Sequence, residues 1–115
     1  MPMDGTLDYI ELPGPDIPGS KRFYGEVFGW SFTDYGPDYA AFQSPGGRDG
    51  GFNAERRVIE TGGPLVVLYA NDIDSMLEKV QTAGAEILSR HEFPGGSRFH
   101  FRDPNGNEVA VWTKS

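Results

Sequence analysis

The sequence predicts an α+β chain built from two tandem βαβββ modules, and three observations carry that prediction. Ala41-Phe42-Gln43-Ser44-Pro45-Gly46-Gly47 and His100-Phe101-Arg102-Asp103-Pro104-Asn105-Gly106 place Phe, Pro and Gly at the same offsets, 59 residues apart from Phe42 to Phe101. Pro15-Asp16-Ile17 and Asn71-Asp72-Ile73 each open a helical pattern, and these close at Gly29 and Gly84. Each helical pattern follows one strand-like run and precedes three. Two copies at half-chain spacing are too few for a solenoid, which needs at least three stacked units.

In order along the chain, Leu7 to Leu12 alternates in character and meets Pro13-Gly14-Pro15, as a strand followed by a turn does. Asp16 suits an N-cap, and Pro18 suits the first helical turn because its missing N–H has no partner there. Tyr24, Val27 and Phe28 keep helical spacing up to Gly29. Trp30 to Tyr35, Tyr39 to Gln43 and Gly50 to Asn53 read as three short strands. Residues 54–64, with Glu55-Arg56-Arg57 and Gly62-Gly63-Pro64, form the linker between module one (about 6–53) and module two (about 65–113) of a single domain spanning 1–115. Leu65 to Ala70 is an apolar strand. Asp72 caps a helix whose Ile73, Met76, Leu77 and Val80 follow the i, i+3, i+4, i+7 rule. Glu86 to Phe93 and Ser97 to Arg102 are strands across a Pro94-Gly95-Gly96 turn, and Asn107 to Thr113 closes the sheet.

Composition narrows the partners. One domain of 115 residues buries roughly two thirds of the surface its unfolded chain exposes, and a 13% aromatic content supplies large buried areas. Ten basic against seventeen acidic residues give a net charge of -7, which repels phosphate backbones and anionic bilayers, so nucleic acid and membrane are not expected partners. No run approaches the ~20 apolar residues of a membrane span, and Met1-Pro2-Met3-Asp4-Gly5 lacks a signal-peptide pattern; the expected location is the cytoplasm. The absence of cysteine removes disulfides and thiolate chemistry. The Gly46-Gly47 and Gly50-Gly51 pairs fit neither nucleotide-loop motif, and no serine sits in a nucleophile elbow.

Two motifs carry a family resemblance over nearly the whole chain: Phe23-Tyr24-Gly25-Glu26-Val27-Phe28-Gly29-Trp30 after Asp16, and Phe101-Arg102-Asp103-Pro104-Asn105-Gly106-Asn107 near the end. Together they resemble the vicinal oxygen chelate superfamily, the fold of glyoxalase I, bleomycin-resistance proteins and extradiol dioxygenases. The resemblance implies that the modules curl one mixed sheet into a cup, with helices outside and often a homodimer. The motifs themselves have structural roles, the first as core and the second as a turn, so the reaction must be sought in the site.

In that superfamily, members that use a divalent ion take ligands, usually His and Glu, from the first and last strand of each module. Carried onto this sequence, the first-strand positions are Tyr9 and Leu65 and the last-strand positions Gly51 and Ala110. A divalent site needs three or four converging N/O donors, and these positions offer at most a phenol, so no metal and no other cofactor is expected. The alternative is a weakly held divalent cation on Glu11 and Glu108, two residues along from Tyr9 and Ala110 on the same face.

Strand parity then sketches the cup. Tyr9 and Glu11, then Leu65, Val67 and Tyr69, then Glu108, Ala110 and Trp112 share the inward face; Phe42 and Phe101 belong to the helix-facing core, with Ala41, Arg98, His100 and Arg102 opposite. Apolar walls with a few polar groups suit a small organic ligand. The expected ligand-binding residues are Tyr9, Glu11, Trp30, Tyr39, Tyr69, His100 and Trp112. Glu11 and His100 are the candidate proton-transfer groups; the structural alternative for Glu11 is pairing with Arg98 or Arg102 or a place at the wet rim, and His91 is read as an exposed loop-end residue. The leading reading is a metal-independent binder of a small organic molecule. The alternatives are a metal-free acid–base enzyme using Glu11 or His100, and a glyoxalase-like lyase or dioxygenase with displaced donors.

Overall fold

The structure is a computed structural model, and it describes residues 3–115. The chain divides between Val58 and Ile59 into two compact units. The first holds β1 (Ile10–Pro13), α1 (Ile17–Phe28), β2 (Ser31–Asp34), β3 (Tyr39–Gln43) and β4 (Asp49–Asn53). The second holds β5 (Val66–Tyr69), α2 (Ile73–Thr82), β6 (Glu86–Phe93), β7 (Gly96–Arg102) and β8 (Glu108–Lys114). Both are βαβββ. The expected mixed sheet is present as two four-stranded sheets, one per unit, ordered β1-β4-β3-β2 and β5-β8-β7-β6. In each, the first strand lies parallel to the last, and the remaining pairings are antiparallel.

The helix ends follow their sequence signals. Asp16 accepts from the Gly19 N–H at 3.0 Å through Oδ1, Pro18 stands in the first turn, and Gly29 ends α1 with φ 74°. Asp72 accepts from Ser75 N–H at 3.1 Å. In the first unit α1 packs through Tyr24, which stacks on Trp30 at 4.6 Å and meets Phe52 at 5.2 Å, while Trp30 stacks on Phe42 at 4.3 Å. Such ring pairs each add about 0.5–1.5 kcal/mol beyond the area they bury. In the second unit Phe99, Phe101, Val109 and Val111 are fully or almost fully buried, as is Val80 of α2.

The duplicated turns share a hydrogen bond but not a conformation. Gly47 N–H donates to Ser44 C=O and Gly106 N–H to Asp103 C=O, at 3.2 and 3.0 Å, again 59 residues apart. The left-handed residue differs. In the first turn it is Gly46 (φ 68°), directly after Pro45, whereas Asn105 keeps a negative φ and Gly106 (φ 96°) takes that role. Pro followed by a positive-φ glycine is a type II pattern; Pro-Asn leaves the positive φ to the next residue.

Candidate functional site

Ladder register fixes which side chains share the face opposite each helix. In the first unit Glu11 pairs with Gly51, and Gly51 with Ala41, so Glu11, Ala41 and Gly51 lie away from the Phe42–Phe52 core. Tyr9 stands one residue before β1, yet its hydroxyl reaches the Tyr39 hydroxyl at 2.7 Å. Both phenols sit over Gly51, where a built Cβ would lie 2.6 Å from the Tyr9 oxygen and 2.6 Å from Tyr39 Cζ. Glu11 accepts from Asn53 Nδ2 at 3.3 Å and faces Arg56 Nη1 at 3.6 Å. Burial, then the Tyr9 hydroxyl, then Glu11 raise the Tyr39 phenol well above the ordinary tyrosine value. The Tyr39 phenol is therefore protonated at neutral pH, and either hydroxyl of the Tyr9–Tyr39 pair can be the donor.

Within its own unit Glu11 is held by Asn53 and Arg56, and within the second unit Arg102 donates to the carbonyls of Glu60 and Gly106, both at 3.0 Å. One expectation is corrected here. Trp30 is only 8% exposed and lies between Tyr24 and Phe42 on the helix side of the sheet, so it is a core residue and not on the face with Tyr9 and Tyr39.

In the second unit Val67 pairs with Ala110 and Tyr69 with Trp112, while Arg98 pairs with Trp112, His100 with Ala110 and Arg102 with Glu108. All of these share the face opposite the buried phenylalanines, as parity predicts. Tyr69 and Trp112 meet edge to face at 5.2 Å. His100 is 8% exposed; its Nδ1 lies 2.7 Å from Glu108 Oε2, and its Nε2 is buried without a partner among the described residues. His91 is not at a loop end. It belongs to β6, and its ring meets His100 edge to face at 5.7 Å while its Nε2 contacts Ser89 Oγ at 3.0 Å. A register shift between Ile87 and Ser89 leaves Leu88 as the extra residue and puts Ser89 opposite His100. The adjacent apolar pair Ile87-Leu88, which breaks the alternation, was the available signal. A cavity of about 190 Å³ beside Leu65 and Glu108, walled by Ile59 and Pro64, reaches Glu108 but not His100.

The residues at the usual metal corners do not fit an ion. Over Gly51 the space is held by the two phenols, and Ala110 is fully buried without a donor atom. Among the described residues, no three or more His, Asp or Glu side chains converge. Glu11 and Glu108, the displaced pair, each have protein partners within their own unit.

Two βαβββ units with parallel outer pairs and a polar cluster on the face opposite each helix define a glyoxalase-type protein. The sequence model of the Glyoxalase/Bleomycin resistance protein/Dioxygenase superfamily matches residues 6–111, and the chain belongs to that superfamily. It is 31% identical to the anthracycline biosynthesis protein DauV of Streptomyces sp. (strain C5) over 96% of this chain and 47% of that protein. It is 27% identical to a glyoxylase-like domain-containing protein of Didymella fabae over 99% and 98%. The chain thus spans about half the length of its Streptomyces relative. Among solved structures, a lactoylglutathione lyase from Agrobacterium tumefaciens superposes with a TM-score of 0.75 at 21% identity, covering 95% of this chain and 93% of that one. A family enzyme from Burkholderia phytofirmans PsJN gives 0.78 at 19%, covering 95% and 98%. At these identities the likeness is one of fold.

Proposed function

We propose that this protein binds a small organic molecule, without a metal ion, against the open sheet face of its second unit. The observation that carries this reading is the set of large apolar side chains left exposed on that face: Leu65, Val67 and Tyr69, at 37%, 43% and 43%, beside Trp112. Large apolar groups clustered on one face mark a binding surface more often than they mark nothing, and aromatic walls with few polar groups suit a planar ligand. The corner positions that hold an ion elsewhere in the superfamily carry no donor set here, which is why no metal is part of the proposal. The anthracycline-biosynthesis relative makes a polycyclic aromatic compound a sensible first probe. A homodimer covering part of the exposed faces belongs to the same proposal, and sedimentation showing a monomer at micromolar concentration removes it.

The test is titration of the protein with an anthracycline in the presence of a chelator, following emission from Trp112 in a Trp30→Phe background. Saturable quenching of Trp112 that Tyr69→Ala weakens and the chelator leaves intact is expected. No saturable binding, or binding that needs added metal, sinks the reading. The His100–Glu108 pair favours a second reading, a metal-free acid–base enzyme, which requires that bound compounds be turned over; Glu11, held by Asn53 and Arg56, is the weaker candidate for that role.

A further inference from the structure

We infer that Arg98 is the anion-binding residue of the open face, and that the molecule this face takes is a planar aromatic carboxylate, with its rings against Tyr69 and Trp112 and its acid group on the guanidinium. This rests on the proposed binding function and adds the chemical class of the ligand.

The cations of the chain are not placed alike. Lys21, Arg56 and Arg90 pair with Asp34, Glu11 and Asp74, and Arg102 donates to two carbonyls. Arg22, Arg48, Arg57, Lys79 and Lys114 have no side-chain partner among the described residues, but all five are exposed and served by water. Arg98 is half-buried, and it too has no hydrogen-bond or ion-pair partner among the described residues. A cation that gives up part of its hydration without an acceptor loses free energy. Carboxylates are not scarce in this chain, with seventeen acidic residues against ten basic ones. Glu108, the acid that β8 places on this face, stands level with Arg102, about 13 Å along the strand from Arg98, and is already held by His100.

The ladder register supplies the rest of the site. Trp112 pairs with Arg98 on one side and with Tyr69 on the other, so the three side chains form one row across β7, β8 and β5. Adjacent strands lie about 4.8 Å apart, which sets roughly 10 Å from Tyr69 to Arg98, the span of a two-ring aromatic acid. Tyr69 at one end of the row and His91, opposite Arg98 in β6, at the other are both exposed. His100 Nε2 is the one buried side-chain N or O atom without a partner among the described residues, so the unpartnered guanidinium donors of Arg98 are reachable from solvent. Their fork matches a carboxylate with two parallel N–H···O bonds. The net charge of -7 repels an anion at long range, but it is screened beyond about 8 Å at physiological salt, and the contact with Arg98 decides.

Binding of 2-naphthoate, its neutral isostere 2-naphthamide and 2-naphthylmethylammonium to the full chain tests this. A charge-assisted pair at a half-exposed site corresponds to roughly a tenfold preference, so naphthoate should bind about tenfold more tightly than naphthamide, and added salt should weaken the acid while leaving the amide unchanged. Arg98→Gln should bring the ratio close to one without weakening the amide. Arg98→Lys should keep only part of the preference, because the charge stays and the fork is lost. Lys114→Gln, which removes an exposed cation at the end of β8, should leave the ratio as it is, and Tyr69→Ala should weaken acid and amide alike. Equal affinities for acid and amide, both lowered by Tyr69→Ala, overturn the inference and leave the binding function standing. Tightest binding by the ammonium compound also overturns it, because that selectivity belongs to a carboxylate such as Glu108. A preference untouched by both Arg98 variants, or lost with Lys114→Gln, puts the anion elsewhere and overturns it too. Failure of all three compounds to bind overturns both.

Discussion

Gly50 and Gly51 are adjacent in β4, and substituting each by alanine should have opposite consequences. At Gly50 a Cβ would run into the Ile10 carbonyl group, with its carbon at 2.9 Å, and would come within 2.5 Å of Phe42 Cζ. Backbone cannot step aside without opening the parallel β1–β4 ladder, and Phe42 is packed against Trp30. Overpacking of this kind typically costs ~1–3 kcal/mol, and more when backbone must move. At Gly51 the obstacles are the far ends of two tyrosines. These can swing out, with loss of the 2.7 Å hydroxyl contact, worth roughly 0.5–1.5 kcal/mol. Against that, alanine restricts the unfolded chain and contributes about 0.4–1 kcal/mol. The expected balance is a loss of at least about 2 kcal/mol for Gly50→Ala and within about 1 kcal/mol of wild type for Gly51→Ala. Urea unfolding followed by tryptophan emission measures both, because Trp30 lies in the first unit's core. If Gly51→Ala proves as damaging as Gly50→Ala, the phenol pair is a rigid structural element, and the account of that corner as movable polar surface is wrong.

Other predictions follow from the same contacts. Because the Tyr39 phenol is held above its unfolded value of 10.0, the native state retains that proton longer than the unfolded chain. Stability should thus be unaffected by this group below pH 10 and should fall as pH rises beyond it; ultraviolet titration should show one late tyrosine that Tyr39→Phe removes, and an unchanged curve refutes the assignment. Asp103 is buried and accepts from the N–H groups of Asn105 and Asn107 at 2.9 Å and from Asn107 Nδ2 at 3.1 Å. Asp103→Ala strands these donors and should cost about 2–4 kcal/mol, a melting shift of roughly 8 °C or more. Ser44→Ala at the matching turn removes only the exposed hydroxyl bond to the Arg48 carbonyl and should shift it by less than half as much; equal shifts count against the difference between the two turns.

The architecture was legible because backbone chemistry announces itself locally. Asp16 and Asp72 cap, Gly29 and Gly84 stop, and the spacing of Phe42 and Phe101 aligns two hairpins. Strand parity also placed Arg98, His100, Ala110 and Trp112 on one face correctly, since β7 and β8 run without interruption. Parity failed where regularity did. Leu88 breaks the register of β6, so His91 emerged beside His100 rather than at a loop end. Trp30 immediately precedes β2, and nothing in its neighbours tells which way the ring turns; the decision is made by Tyr24 and Phe42, which lie far from one another in sequence. Pairings were the least legible of all. That Glu11 meets Asn53 and Arg56 within its own unit depends on how far β4 carries its last residue, a boundary that sequence leaves open by one or two positions.

The two units also show how a duplicated frame can hold different chemistry at equivalent points. Ala41 faces Gly51 in the first ladder, as His100 faces Ala110 in the second, and in both the last strand contributes almost no side chain. At Gly51 the room this leaves is taken by two phenols from the adjoining segments, so a large residue at 51 and the present phenol pair are mutually exclusive. The phenols require glycine beneath them, and His100 sits across from a residue that is itself fully buried. Placing a carboxylate or histidine at position 51 would displace the two phenols before it could add a donor, so at that corner a new ligand and the present packing compete for one space.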